Sequence, residues 1–216
     1  MLEDKVTLAI NNFIKPCYVN KISSYYDLIE KGNKQGQGKS LLKCNVGTDD
    51  NICVSNYDDK DRCEFFTSKW GLRKCIDHFI LKKQNNNWEL HMIEMKTTVN
   101  RDNWEGIKEK FRASYWNILI LTQFLGISFD IENVFLYTTY ECEDMSIAES
   151  SNPRGNILRL GGYISDTSKE WNGEILTSIR LVPYDDRDEA IFKFRHTKIQ
   201  MKRSDDGWLK GEYPLQ

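Results

Sequence analysis

Ile76-Asp77-His78-Phe79-Ile80-Leu81, and then, beyond the turn Gln84-Asn85-Asn86-Asn87, Glu89-Leu90-His91-Met92-Ile93-Glu94-Met95-Lys96-Thr97-Thr98, is the stretch that decides the fold. Apolar residues alternate on both sides of an asparagine-rich turn. That pattern predicts a β-hairpin with strands over 75–83 and 88–98. Side chains alternate along a strand, so Glu94 and Lys96 share a face with Met92 and Leu90, while Asp77 shares one with Phe79 and Leu81. Asp77 opens its strand where Glu94 and Lys96 close theirs, and in an antiparallel pair those ends are neighbours. Two carboxylates and one ammonium group therefore meet at one end of a sheet. His78 and His91 alternate to the opposite faces and read as packing or surface residues and not as metal ligands.

Outward from the hairpin, Asp102-x-x-Glu105 reads as a capping box with Asp102 as the N-cap. It opens a long helix whose stripe is Ile107, Phe111, Tyr115, Ile118, Thr122 and Leu125, stopped at Gly126. A strand follows over 132–137. Upstream, Leu2, Val6, Ala9, Ile10 and Phe13 predict an amphipathic helix over 2–14. Ile22, Tyr25, Tyr26, Leu28 and Ile29 predict a second helix ended by Gly32. A strand is expected over 41–46 and a long surface loop over 47–63. Beyond a polar boundary at 141–155 the chain looks β-rich, with strands at 157–164, 174–182 and 190–201 and hairpin turns at Asn172-Gly173 and Asp206-Gly207. The fold class is α/β: a mixed central sheet flanked by helices, over 1–145, with a β-rich C-terminal extension over 146–216 packed on the core.

Composition narrows the setting. The 216 residues are 40% hydrophobic and 29% charged, which excludes a disordered chain. The longest apolar run, Ile118 to Leu121, is far below the roughly 20 residues a bilayer requires. The formal charge of −2 excludes a protein that coats nucleic acid nonspecifically. Acids at Glu3 and Asp4 argue against a signal peptide. Six cysteines without a Cys-x-x-Cys pair, and three histidines, argue against a zinc site and for reduced thiols in the cytoplasm. The segment 33–40 is one residue short of a P-loop, with Asn33 where glycine is needed, and no helix is expected after it. Arg195, His196, Lys198, Lys202 and Arg203 read as an exposed charged β-edge or as a substrate-contacting arm. Trp104, Trp116, Trp171 and Trp208 read as core or boundary residues.

Two carboxylates can hold a hard divalent cation, which polarises a phosphoryl oxygen, and an adjacent lysine can orient water or meet developing negative charge. Glu-x-Lys alone is not diagnostic, since Glu3-Asp4-Lys5 has the same form. In its context, Asp77 with Glu94-Met95-Lys96 resembles the signature of the PD-(D/E)xK nuclease superfamily, whose core has the order αβββαβ. The resemblance spans about residues 18–140 by element order. It lacks the proline, Ile76 standing before Asp77, and the glutamine-x-x-x-tyrosine motif of the RecB-like branch.

The resemblance implies Asp77 and Glu94 as metal ligands for Mg²⁺ or Mn²⁺, the Met95 carbonyl completing the shell, and Lys96 as the catalytic lysine. It adds an acid from the first helix, for which Glu30 is a candidate and Asp27 equally available. Lys108 and Arg112 on the long helix, and Lys39 before the first strand, are candidate phosphate contacts. The implied activity is phosphodiester hydrolysis, on DNA in preference to RNA, of the kind used in restriction, host defence or mobile elements. A two-fold homodimer is frequent in the family. The rival readings are an inactive nuclease-like binding module and a nucleotide-gated RNA endonuclease.

Overall fold

The computed structural model describes residues 4–16, 18–31, 38–47, 51–59, 71–85, 87–145, 166–182 and 187–215. The expected strand over 157–164 and most of the P-loop-like segment lie outside them. In chain order the elements are α1 (Asp4–Phe13), β1 (Asn20–Ile22), β2 (Tyr25–Lys31), β3 (Lys39–Asn45), β4 (Asn51–Val54), β5 (His78–Gln84), β6 (Asn87–Met95) and β7 (Thr98–Asn100). The long helix α2 (Arg101–Leu125) follows, then β8 (Val134–Tyr140) and β9 (Cys142–Asp144). A short helix α3 covers 166–172. The chain ends with β10 (Thr177–Arg180), β11 (Ile191–Gln200), β12 (Lys202–Arg203) and β13 (Trp208–Pro214).

Three layers result. The middle layer is a seven-stranded mixed sheet in the order β1-β4-β5-β6-β8-β11-β10, with β6, β8 and β11 parallel. Its apolar strand residues alternate to two cores. Phe79, Leu81, Leu90, Met92, Leu136 and Phe194 pack with Val6 and Ile10 of α1 and with Trp104, Ile107, Phe111 and Ile118 of α2. Ile80, Ile93, Met95, Tyr137 and Ile199 turn the other way, onto Leu28, Leu42, Cys44 and Leu209. Those last residues are the inner face of a second, four-stranded sheet, β12-β13-β3-β2. Gly211 of β13 lies against Met201 Sδ, with no room for a Cβ, so the two sheets approach closely there. No helix among the described residues is long and apolar enough to cross a membrane.

The α/β class with a β-rich C-terminal region stands, and several local expectations are corrected. The second helix, expected from the spacing of Ile22, Tyr25, Tyr26, Leu28 and Ile29, is the strand β2. Pairing with β3 from Tyr25↔Asn45 to Lys31↔Lys39 overrides the spacing, and only Leu28 is fully buried. The expected surface loop contains β4, which is buried throughout between β1 and β5. The N-cap of α2 is Asn100, in a capping box with Asn103, two residues before Asp102. Asn172-Gly173 ends α3 rather than a hairpin: Gly173 (φ 71°) donates to Glu170 O and Glu174 to Lys169 O. Within the Arg195–Arg203 cluster only His196 departs from the exposed reading, being buried against Trp104 and Trp171; β11 pairs with β8 over 195–200 and with β10 only up to Phe194, and Arg195, Lys202 and Arg203 are exposed.

One buried contact ties α2 to the entrance of β5: the Ile76 N–H donates to Ser114 Oγ at 2.9 Å. Ser114→Ala leaves that N–H unpaired and is expected to cost about 1–3 kcal/mol. Urea unfolding should show a lower midpoint with an unchanged slope. An unchanged midpoint would mean that the strand entrance is held by other contacts.

Candidate active site

The candidate site forms at the open end of the β5–β6 hairpin. His78 pairs with Ile93, and one more step of that register sets Asp77 across from Glu94. Both acids turn toward the helical layer, as Phe79 and Met92 do. Asp77 is 3% exposed and Glu94 0%. Burial disfavours the charged form of a carboxyl group, so both need compensation.

Two lysines supply it. Lys96 makes an ion pair with Glu94 Oε1. Lys110, from α2, reaches the same oxygen at 2.5 Å and lies 3.9 Å from Asp77 Oδ1. Asp77 Oδ2 accepts the Met95 N–H at 2.6 Å, which locks the two strand ends together. The Met95 carbonyl accepts from Lys96 Nζ at 3.4 Å. Glu94 Oε2 is buried with no hydrogen-bond partner among the described residues.

Burial raises the pKa of Asp77 against the opposing pull of Lys96, Lys110 and the Met95 N–H. Burial and the neighbouring Asp77 raise that of Glu94, again against the two lysines. Burial tends to lower the Lys96 pKa, but Glu94 and Asp77 outweigh it and leave that lysine firmly cationic.

Two further acids close in from the side. Glu30, Asp58 and Asp77 each present a carboxylate oxygen, and these lie within 4.8 Å of one another. Glu30 belongs to strand β2 and not to a helix, and it points inward with Tyr26 and Leu28; Asp27 points outward and is exposed. Asp58 follows Tyr57, whose N–H donates to the Asp77 carbonyl at 2.6 Å. The acids thus come from three separate pieces of chain.

The structure therefore gathers Asp77, Glu94, Met95, Lys96 and Glu30, and adds Asp58 and Lys110. Asp58 sat in the segment read as loop. Lys110 had a signal, since its spacing from Ile107 and Ser114 (three and four residues) puts it on a core-facing side of α2. Lys108 is not at the site: its ammonium pairs with Glu105 at 2.8 Å and Glu170 at 3.2 Å, between α2 and α3. Arg112 is partly buried beside Glu109, which opposes the burial that lowers its pKa. Lys39 is exposed at the start of β3, its Nζ 5.7 Å from the Trp208 ring. His78 and His91 are packing residues as expected. His78 Nδ1 accepts the Asn56 N–H at 3.0 Å, and His91 meets Tyr137 Oη at 3.0 Å.

No family model, curated protein or solved structure matches the chain. Function rests on what these side chains can do together.

Removing Lys110 exposes how the acids are balanced. With Lys110→Met, Glu94 keeps only Lys96 and its folded pKa rises further. Stability is then lost as pH rises through that pKa. The variant is expected to be about 1–3 kcal/mol less stable than wild type in EDTA at pH 8, and nearly equal to it at pH 4. Thermal unfolding across that range checks it; a pH-independent deficit would mean that Lys110 contributes packing and not charge.

Proposed function

We propose that the chain is a metal-dependent nuclease of the PD-(D/E)xK type, hydrolysing phosphodiester bonds in nucleic acid. The observation that carries this reading is the buried pair Asp77 and Glu94, clamped by Lys96 and Lys110 at the end of adjacent strands. A structural ion pair is rarely buried with a carboxylate oxygen left unpartnered, as Glu94 Oε2 is. Catalytic sites collect such perturbed groups.

The charge count supports a cation. Asp77, Glu94, Glu30 and Asp58 carry four negative charges when ionised, and Lys96 and Lys110 return two. The remainder is what one divalent ion neutralises. Carboxylate oxygens are the donors Mg²⁺ and Mn²⁺ prefer. Glu30, Asp58 and Asp77 would hold the ion; Glu94 is not one of that group of three and stands beside Asp77 across the strand pair. Bound there, the ion would polarise a phosphoryl oxygen and acidify a water.

The chain's own groups do the rest. Lys96 has 30% of its side chain exposed and Lys110 26%, so both ammonium groups border solvent at the mouth of the site, and Lys96 is the one delivered by the strand end. It orients the attacking water and meets negative charge on the phosphoryl oxygens. Lys110 holds Glu94 in place from the helical side. The Met95 N–H fixes the Asp77 carboxylate in its rotamer. The buried cysteines Cys44, Cys53 and Cys75, none of them in a disulfide, fit a reducing cytoplasmic setting.

The test is cleavage of labelled single-stranded DNA, duplex DNA and RNA with Mg²⁺, Mn²⁺ or EDTA. Wild type is expected to cut with either metal and not in EDTA. Asp77→Asn, Glu94→Gln and Lys96→Ala should each lose at least about 100-fold in rate while keeping a folded spectrum. Because both acids titrate above the ordinary carboxylate range, protons compete with the metal early. The metal concentration for half-maximal rate should therefore climb as pH falls from 8 to 6. No cleavage of any substrate by wild type would leave a binding module in place of an enzyme.

A further inference from the structure

We infer that the outer face of the four-stranded sheet is a docking surface for a single-stranded segment of nucleic acid; this rests on the nuclease reading and names the form of its substrate. The outward positions follow from the alternation. On β2 they are Tyr25, Asp27, Ile29 and Lys31; on β3, Lys39, Leu41, Lys43 and Asn45; on β13, Trp208, Lys210, Glu212 and Pro214. The register arranges them in rows across the sheet. One row is Lys31–Lys39–Trp208. The next is Ile29–Leu41–Lys210–Lys202, and the third is Asp27–Lys43–Glu212.

The rows are charged differently. In the third, Lys43 lies between two acids and the row carries a net negative charge. In the first two, lysine faces lysine directly, as Lys31↔Lys39 and as Lys202↔Lys210. Like charges directly opposite one another destabilise a sheet. Asp206 pairs with Lys210 at 2.6 Å, and the Trp208 ring receives Lys39, but no acid stands between the members of either pair in the register. A polyanion lying across these rows would relieve that repulsion.

Aromatic and apolar surface lies among the lysines: half-buried Trp208 in the first row, and Ile29 and Leu41 in the second. Lysines that track phosphates around an aromatic ring form a platform for unpaired bases, whose faces are free to stack. A duplex offers such a flat face only edges and backbone.

The basic end of this surface meets the candidate site. Lys31 follows Glu30 on β2, and Glu30 belongs to the acidic cluster beside Asp77. Gly38, next to Lys39, backs onto Thr97, where a Cβ would lie 3.4 Å from Thr97 Oγ1. Thr97 follows Lys96. A strand seated on Lys31, Lys39 and Trp208 thus reaches the rim where the acids lie.

The experiment is fluorescence anisotropy of the full chain, in EDTA so that no chemistry intervenes, with a labelled 12-nucleotide single strand and a duplex of the same length. Wild type is expected to bind the single strand more tightly. Trp208→Ala should weaken that binding at least about fivefold. The pair Lys31→Ala and Lys39→Ala should lower the slope of log affinity against log salt by about 1.4, two phosphates' worth. Lys43→Ala, in the row where two acids already hold the lysine, should bind nearly as wild type does, and thermal unfolding confirms that each variant is folded. Tighter duplex binding, or Trp208 and lysine variants that bind like wild type, overturns the inference. Cleavage that persists while those variants bind normally removes the surface and keeps the nuclease. Single-strand binding through Trp208 without cleavage by wild type keeps the surface and removes the nuclease.

Discussion

Two carboxyl groups cannot stay ionised side by side in a protein interior unless cations of the same chain are held against them. Asp77 and Glu94 meet that condition only because β6 ends where α2 passes. The strand delivers Lys96 from one direction and the helix delivers Lys110 from the other. The Asn100–Asn103 capping box fixes where α2 begins, and so fixes the turn on which Lys110 lies. The Ser114 hydroxyl, one helical turn further on, pins the main chain just ahead of Asp77. The helical layer and the hairpin are thereby set in one register, and the charge balance of the site depends on it.

The second sheet gives this arrangement its open side. Helices cover one face of the central sheet, and β2, β3 and β13 cover the other. The ends of β2 and β3 meet the end of β6 at one rim. Glu30 reaches Asp77 because inward positions of β2 at that rim face the strand entrance and not the apolar core. Further along the same strand the inward position is Leu28, which is fully buried. A change from Leu28 to Glu30 over two residues marks where packing gives way to chemistry.

Much of this was legible in the sequence, for identifiable reasons. The β5–β6 hairpin was, because alternation and an asparagine-rich turn are local signals and the register follows from them. The helix α2 and its Gly126 stop were, because the apolar stripe is long. The strand β2 was not, because five apolar or aromatic residues between Ile22 and Ile29 also satisfy helical spacing. What decides for a strand is pairing with β3, whose other edge is held by β13, more than 160 residues further along the sequence. The strand β4 was missed because four buried residues flanked by Asp and Asn carry no period. Asp58 went with it. Lys110 was passed over in favour of Lys108, since both look like solvent-facing charges until the position of Ser114 is weighed. The feature least visible beforehand was the lysine-on-lysine pairing of the second sheet, which exists only once the register is known.

The central claim is that the buried acids form a seat for a divalent cation. The most direct measurement is anomalous diffraction from crystals of the protein soaked in Mn²⁺. The expected result is a single strong peak within bonding distance of an Asp77 oxygen, flanked by Glu30 and Asp58, with Glu94 Oε2 turned toward it. No peak at saturating Mn²⁺, with Lys96 and Lys110 still closed on Glu94, would contradict the account.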